Sequence, residues 1–123
     1  MQIPILKQGT FLIVSIQTII SDRDLLDLEN ELSIKVGEHR SKGVVIDVTT
    51  LDVMDSFSTR TLRNIAYTVR LRGAETVIVG IQPEVAFAMI QLGLKLDDVK
   101  TALNLEDGIL LLDNHLKENN YGR

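Results

Sequence analysis

The chain has 123 residues, enough for one domain that buries about two-thirds of its unfolded surface and too few for two such cores. Its 13 basic and 17 acidic residues leave a net charge of −4, and the cations are scattered, which argues against binding a nucleic-acid backbone. With no cysteine, disulfides, thiolate catalysis and Cys-ligated metals are excluded, and the scarcity of aromatics leaves Val, Ile and Leu to build the core.

The elements follow in chain order. Residues 3–6 and 11–16 are β-rich runs joined by Lys7-Gln8-Gly9-Thr10, which predicts an opening hairpin. Lys7 is the one cation among the first twenty residues, and Gln8, Gly9 and Ser15 break the apolar run. That stretch reads as neither signal peptide nor membrane span, so a cytoplasmic protein without membrane contact is expected. Ser21 with Asp24 makes a capping-box-like start, and Leu25, Leu28 and Leu32 recur at helical spacing to about Val36. Gly43 then introduces Val44-Val45-Ile46-Asp47-Val48, a nearly unbroken apolar run of the kind found in strands covered on both faces.

From Asp55 the period changes. Leu62, Ile65, Ala66 and Val69 fall at i, i+3, i+4 and i+7 while Arg60, Arg63, Asn64 and Arg70 take the other side, so an amphipathic second helix is predicted, ending at Gly73. Residues 76–81 form another buried strand. Gln82-Pro83 opens a third helix with Gly93 as its stop, and residues 99–103 make a short last strand. Asn104 caps a fourth helix with Asp107 at N3 and Ile109, Leu112 and Leu116 on its inner face, and the tail from residue 118 is expected to fray. Strands alternating with helices at this spacing predict an α/β fold. The expected architecture is one domain over residues 1–123, a mixed, mostly parallel sheet of four to five strands with about four helices.

Enzymatic signatures are missing. No GxGxxG, GxxxxGK[ST] or GxSxG occurs, so no catalytic residue and no cofactor is assigned. His39 and His115 have no second histidine at i+3 or i+4, and no metal site is expected.

The informative stretch is GVVIDVTTLDVMDSFSTR, residues 43–60, where a strand passes through Asp47, Asp52 and Asp55 into four hydroxyl residues at a helix start. Strand carboxyl ends are where open α/β sheets place functional groups, although loop solvation and capping explain aspartates there equally well. Ser56 can itself cap the helix. If Asp55 caps it instead, Ser56 becomes the first helical residue and its hydroxyl points outward. A phosphate on it would meet free N–H groups and the positive end of the helix dipole. Asp52 and Asp55 would oppose that charge and Arg60, one turn on, would offset them, so a partner docked there would meet an altered field.

The third helix raises a separate question. Between Pro83 and Gly93 only Glu84 and Gln91 are polar, so the helix is either deeply buried or in contact with another chain, and Leu110 and Leu111 pose the same choice.

These residues carry a resemblance. VVIDVTTLDVMDSFSTRTLRNI, then TVIVGIQPEVAFAMIQLG and the closing LNLEDGILLL, resemble the STAS domain of anti-anti-sigma factors, and IPILK, LIVSIQ, DSF, GIQP and QLG resemble its RsbS-type stressosome scaffold branch. The resemblance implies that the chain is a single STAS domain with no catalytic activity of its own. It implies that the serine directly after the aspartate, Ser56, accepts phosphate from a partner serine/threonine kinase that the unphosphorylated protein sequesters. Ser58 and then Thr59 are the next choices, because Ser58, Thr59 and Thr61 crowd the site with hydroxyls. The surrounding Asp47, Asp52, Asp55 and Arg60 would form the partner-facing surface. Further implied partners are paralogous STAS proteins bearing sensor domains, in homo- and hetero-oligomers, and a PP2C-type phosphatase that resets the serine. The chain begins at the first strand, so it is expected to be the minimal member without a sensor domain.

Two rivals remain. VVIDV also resembles a receiver domain with Asp47 as phosphoacceptor, but a receiver needs an acidic pair after its first parallel strand to hold Mg²⁺, and residues 11–17 and Thr18-Ile19-Ile20 supply no carboxylate. A nucleotide-binding STAS module is the other alternative.

Overall fold

The computed structural model describes residues 3–17, 21–96 and 98–121, with side chains up to residue 119. In chain order the elements are β1 (Ile5–Gln8), β2 (Phe11–Ser15), α1 (Asp22–His39), β3 (Gly43–Asp47), α2 (Ser56–Leu71), β4 (Glu75–Val79), α3 (Pro83–Gln91), β5 (Lys100–Ala102) and α4 (Leu105–Tyr121). The sheet has the order β1-β2-β3-β4-β5. Among the described residues only the β1–β2 hairpin is antiparallel, with Gln8 opposite Phe11; β2, β3, β4 and β5 run parallel, with Leu12 beside Val44 and Ile46 beside Ile78. A mixed, mostly parallel five-stranded α/β sheet with four helices is the expected architecture.

The side-chain period of two divides the core. Leu12, Val14, Val44, Ile46 and Ile78 point to one face and pack with Leu25, Leu28, Leu32 and Val36 of α1 and Leu62, Ile65 and Val69 of α2. Phe11, Val45, Val77 and Val79 point to the other face, where Leu112 of α4 seals them. Val44, Val45 and Ile46 have no exposed surface at all, which is why β3 reads as an unbroken apolar run; each such side chain contributes roughly 1.5–3 kcal/mol. Close approach of α4 depends on Gly108, where an added Cβ would sit 2.6 Å from Val79 Cγ1.

Some ends differ from the sequence reading. α1 continues past Val36 to His39 and closes at Arg40 in the left-handed conformation, φ 50°, with its N–H bonded to the Val36 carbonyl. β4 stops at Val79 because Gly80, φ +79°, turns the chain away. The last turn of α4 does not fray at residue 118: the helix runs to Tyr121. Its closing turns are tied down, since Asn119 Nδ2 lies 3.2 Å from His115 Nε2 and that ring lies 3.6 Å from Glu75 Oε2 on β4. Residues 122 and 123 of the tail, and Thr18-Ile19-Ile20, lie outside the described residues.

The third helix resolves toward exposure. Val85 and Met89 of α3 are buried, whereas Phe87, Ile90 and Leu92 are 63%, 76% and 67% exposed, so the apolar outer face is open. Leu110 on α4 is likewise exposed and Leu111 is half-buried.

Candidate functional site

The loop of residues 48–55 carries the chain from β3 into α2. Its middle is anchored by two buried apolar side chains, Leu51 and Met54, and its end by Asp55. Asp55 is extended, φ −83° and ψ −179°, and its Oδ1 accepts the Ser58 N–H at 2.7 Å, making it the N-cap of α2. The Ser58 N–H, then the Ser58 hydroxyl, hold the Asp55 carboxyl below the usual carboxylate range, because both bonds favour the charged form.

With Asp55 as cap, Ser56 is the first residue of α2 and is exposed. Ser58 is half-buried with its N–H and hydroxyl committed to Asp55. Thr59, the third choice by sequence, is 1% exposed, and its hydroxyl has no hydrogen-bond partner. Thr61 is also buried and donates to the Phe57 carbonyl at 2.8 Å. Of the four hydroxyls, Ser56 is the open one.

The charges around it sort in the same way. Asp52 and Asp55 are exposed, as is Arg60 one turn along α2. Asp47 is half-buried and turned back on its own loop, where Oδ1 accepts the Thr49 N–H at 2.9 Å and the Thr49 hydroxyl. It shapes the loop and stands apart from the outward charges grouped with it in the sequence reading. As a turn-forming acceptor without carboxylate neighbours in the parallel strand beside it, Asp47 also lacks the surroundings of a receiver phosphoacceptor.

Four residues of the site escaped sequence reading. The Thr50 hydroxyl donates to the carbonyls of Ile16 and Gln17, both at 3.0 Å, which ties the loop to the end of β2. Gln82 Nε2 donates to the Thr49 carbonyl at 2.8 Å, which ties it to the start of α3. Gly80 lies directly beneath Thr49, and an added Cβ would collide with the Thr49 side chain and sit 3.1 Å from its Cα. The dipeptide Thr49-Thr50 after a strand-end aspartate is the local signal for such a turn; the Gly80 and Gln82 contacts span about thirty residues and have none.

Among the described residues no group of three or more His, Cys, Asp or Glu could hold a metal ion, and no helix is long and apolar enough to cross a membrane. His39 is exposed at the end of α1. His115 sits with Glu75, Arg70 and Lys42 around a cavity of about 190 Å³ at the amino ends of the strands, the opposite end of the sheet from Ser56.

Comparison with known proteins bears on the family and the fold. The STAS domain family model matches residues 2–108. The RsbT co-antagonist protein RsbRA of Bacillus subtilis (strain 168) is 37% identical over 92 residues, which are 75% of this chain and 33% of that protein. The chain thus spans about a third of that relative's length. A solved serine-to-glutamate variant of RsbS from Moorella thermoacetica is 35% identical, with 95% of this chain and 99% of that one covered at a TM-score of 0.82. A chain from the structure described as the molecular architecture of the stressosome, a signal integration and transduction hub, is 37% identical, with 92% and 98% covered and a TM-score of 0.78. By the extent of the family match and by its sheet order, the chain belongs to the STAS domain family, where it is similar to RsbS.

Proposed function

We propose that this chain, as one STAS domain over residues 1–123, is a non-enzymatic cytoplasmic scaffold of a bacterial stressosome-type complex. It holds a serine/threonine kinase and releases it when Ser56 is phosphorylated. The observation that carries this reading is the division of labour at the start of α2, where Asp55 caps the helix and Ser56 stays open while Ser58, Thr59 and Thr61 are engaged or buried. The likeness to RsbS and to a stressosome chain supports the assembly, and the name of RsbRA, an RsbT co-antagonist, supports antagonism of a partner.

A phosphate at Ser56 adds about −1.5 to −2 charge beside Asp52 and Asp55 and before Arg60. A kinase docked on this surface by charge complementarity loses its fit, and a PP2C-type phosphatase restores it. Phe87 and Ile90 on α3, with Leu92 just past its end, supply apolar contact with a second copy or with paralogous STAS proteins carrying sensor domains. No nucleic acid or membrane is required.

Incubation with the cognate kinase and ATP should give one acid-stable phosphate on the peptide of residues 55–60, absent in Ser56→Ala; an unchanged yield in that variant removes Ser56 from its role. For assembly, light scattering of the chain alone and mixed with a paralogous STAS protein should show oligomers that Phe87→Ser with Ile90→Ser diminishes. A strict monomer in both conditions refutes the scaffold.

A further inference from the structure

Gln82 occupies the N-cap position of α3, yet its side chain makes no cap bond to its own helix. It reaches instead to the Thr49 carbonyl, at 2.8 Å across 33 residues of sequence. Thr49 is thereby held from both sides of its backbone, since its N–H is bonded to Asp47 Oδ1 at 2.9 Å. Gly80 packs against it so closely that an added Cβ would sit 3.1 Å from the Thr49 Cα. Thr50, next in line, is bonded to the Ile16 and Gln17 carbonyls. The end of β3 and the segments that follow β2 and β4 therefore pin the entrance of the loop whose exit is Asp55 and Ser56.

We infer that Gln82 is a positioning residue for phosphorylation of Ser56: its amide donor fixes the acceptor loop in the geometry that a docked kinase reads. The inference rests on the proposed role of Ser56. Gln82 is bonded to the loop entrance at the Thr49 carbonyl, so its effect is expected on recognition of the loop and not on the transfer step. An acceptor fixed in advance spares the kinase the ordering of a loose loop, and the associated gain is the one a single net hydrogen bond supports, about five-fold.

Three variants of the full chain separate the possibilities. Gln82→Met keeps length and volume but removes the donor; Gln82→Glu puts a carboxylate against the Thr49 carbonyl; Gln82→Lys restores a donor. Amide hydrogen exchange over residues 49–55 should quicken in the Met and Glu variants and return toward wild type with Lys. In steady-state phosphorylation with the cognate kinase, KM for the Met variant should rise about five-fold with kcat unchanged.

Unchanged exchange in the Met variant overturns the inference, as does faster exchange with an unchanged KM. Failure of Lys to restore what Met loosened assigns the effect to side-chain shape and overturns the donor role. A fall in kcat with KM constant places the effect on the transfer step and counts against positioning; because an unfolded fraction would itself raise the apparent KM, thermal melts of the same samples verify that each variant is folded. If wild-type Ser56 takes no phosphate, the proposed function fails by itself and the exchange arm still decides whether Gln82 holds the loop.

Discussion

Asp55 should stabilise the domain in two separable ways, through its hydrogen bond to the Ser58 N–H and through its charge at the positive end of α2. Asp55→Ala removes both. Loss of an N-cap acceptor costs about 1 kcal/mol, and loss of an exposed carboxylate at the helix N-terminus about 0.5 kcal/mol after solvent screening. Asp55→Asn keeps an acceptor and removes only the charge. In a domain of this size about 1 kcal/mol shifts Tm by about 4 °C, so Ala should lower it by about 6 °C and Asn by about 2 °C at pH 7.

The pH dependence of the gap between wild type and Asn isolates the charge. The Asp55 carboxyl is held below its ordinary range in the folded protein, first by the Ser58 N–H and then by its hydroxyl. A depressed folded pKa contributes stability that is fully present above the unfolded value, about 3.9, and that disappears as pH falls through the folded value. The gap should therefore stay constant from pH 7 to about pH 5 and close below about pH 4. Thermal unfolding followed by circular dichroism at pH 7, 5 and 3.5 measures it. Equal melting points for Ala and Asn at pH 7, or a gap indifferent to pH, would refute the assignment of Asp55 as a charged cap.

Two further substitutions probe the same region. Gly80→Ala meets a left-handed φ of +79° and the backbone of Thr49 at once, and should cost at least about 2 kcal/mol, read as a Tm lower by about 8 °C; a loss within about 0.5 kcal/mol would show that the loop yields to the Cβ. Thr59→Val replaces a buried hydroxyl that has no partner with a methyl of the same shape, so chemical denaturation should show a gain of about 1 kcal/mol at an unchanged m-value, with Ser56 phosphorylation unaffected; a loss of stability would mean that the hydroxyl is bonded in solution.

Legibility in the sequence followed the range of the contacts. β3 and α2 were readable because their patterns are local: Val44-Val45-Ile46 is apolar on successive residues, and Leu62, Ile65, Ala66 and Val69 keep a helical stripe. The Asp55 cap was readable as one of two choices, since Ser56 is an equally good cap by residue type, and backbone geometry decided between them. The burial of Thr59 has a local signal: it lies three residues before Leu62, so the inner stripe extends back to it. Gln82 and Gly80 had none, because their partner Thr49 is thirty residues away and Gln82 already had a plausible local role before Pro83. Likewise, the last turn of α4 is held by His115 and Glu75, a contact invisible to a reading that treats a polar tail as frayed.

The same contacts bear on how a phosphate at Ser56 would act. Inside the molecule two terms oppose one another: attraction to the free N–H groups and dipole of α2, on the order of 0.3–1 kcal/mol at an exposed site, and repulsion from Asp55 and Asp52, of similar size in high dielectric. They largely cancel. Meanwhile the loop is pinned at its entrance by Gln82, Asp47 and Thr50 and at its exit by the Asp55 cap, so no weak joint is available for so small a difference to open. On the proposed function, the free energy of the added charge would therefore fall almost wholly on the contact with a partner, where an acidic surface made more acidic would repel what it held. On the proposed reading the fold is a rigid carrier, and the switch lies in the interface.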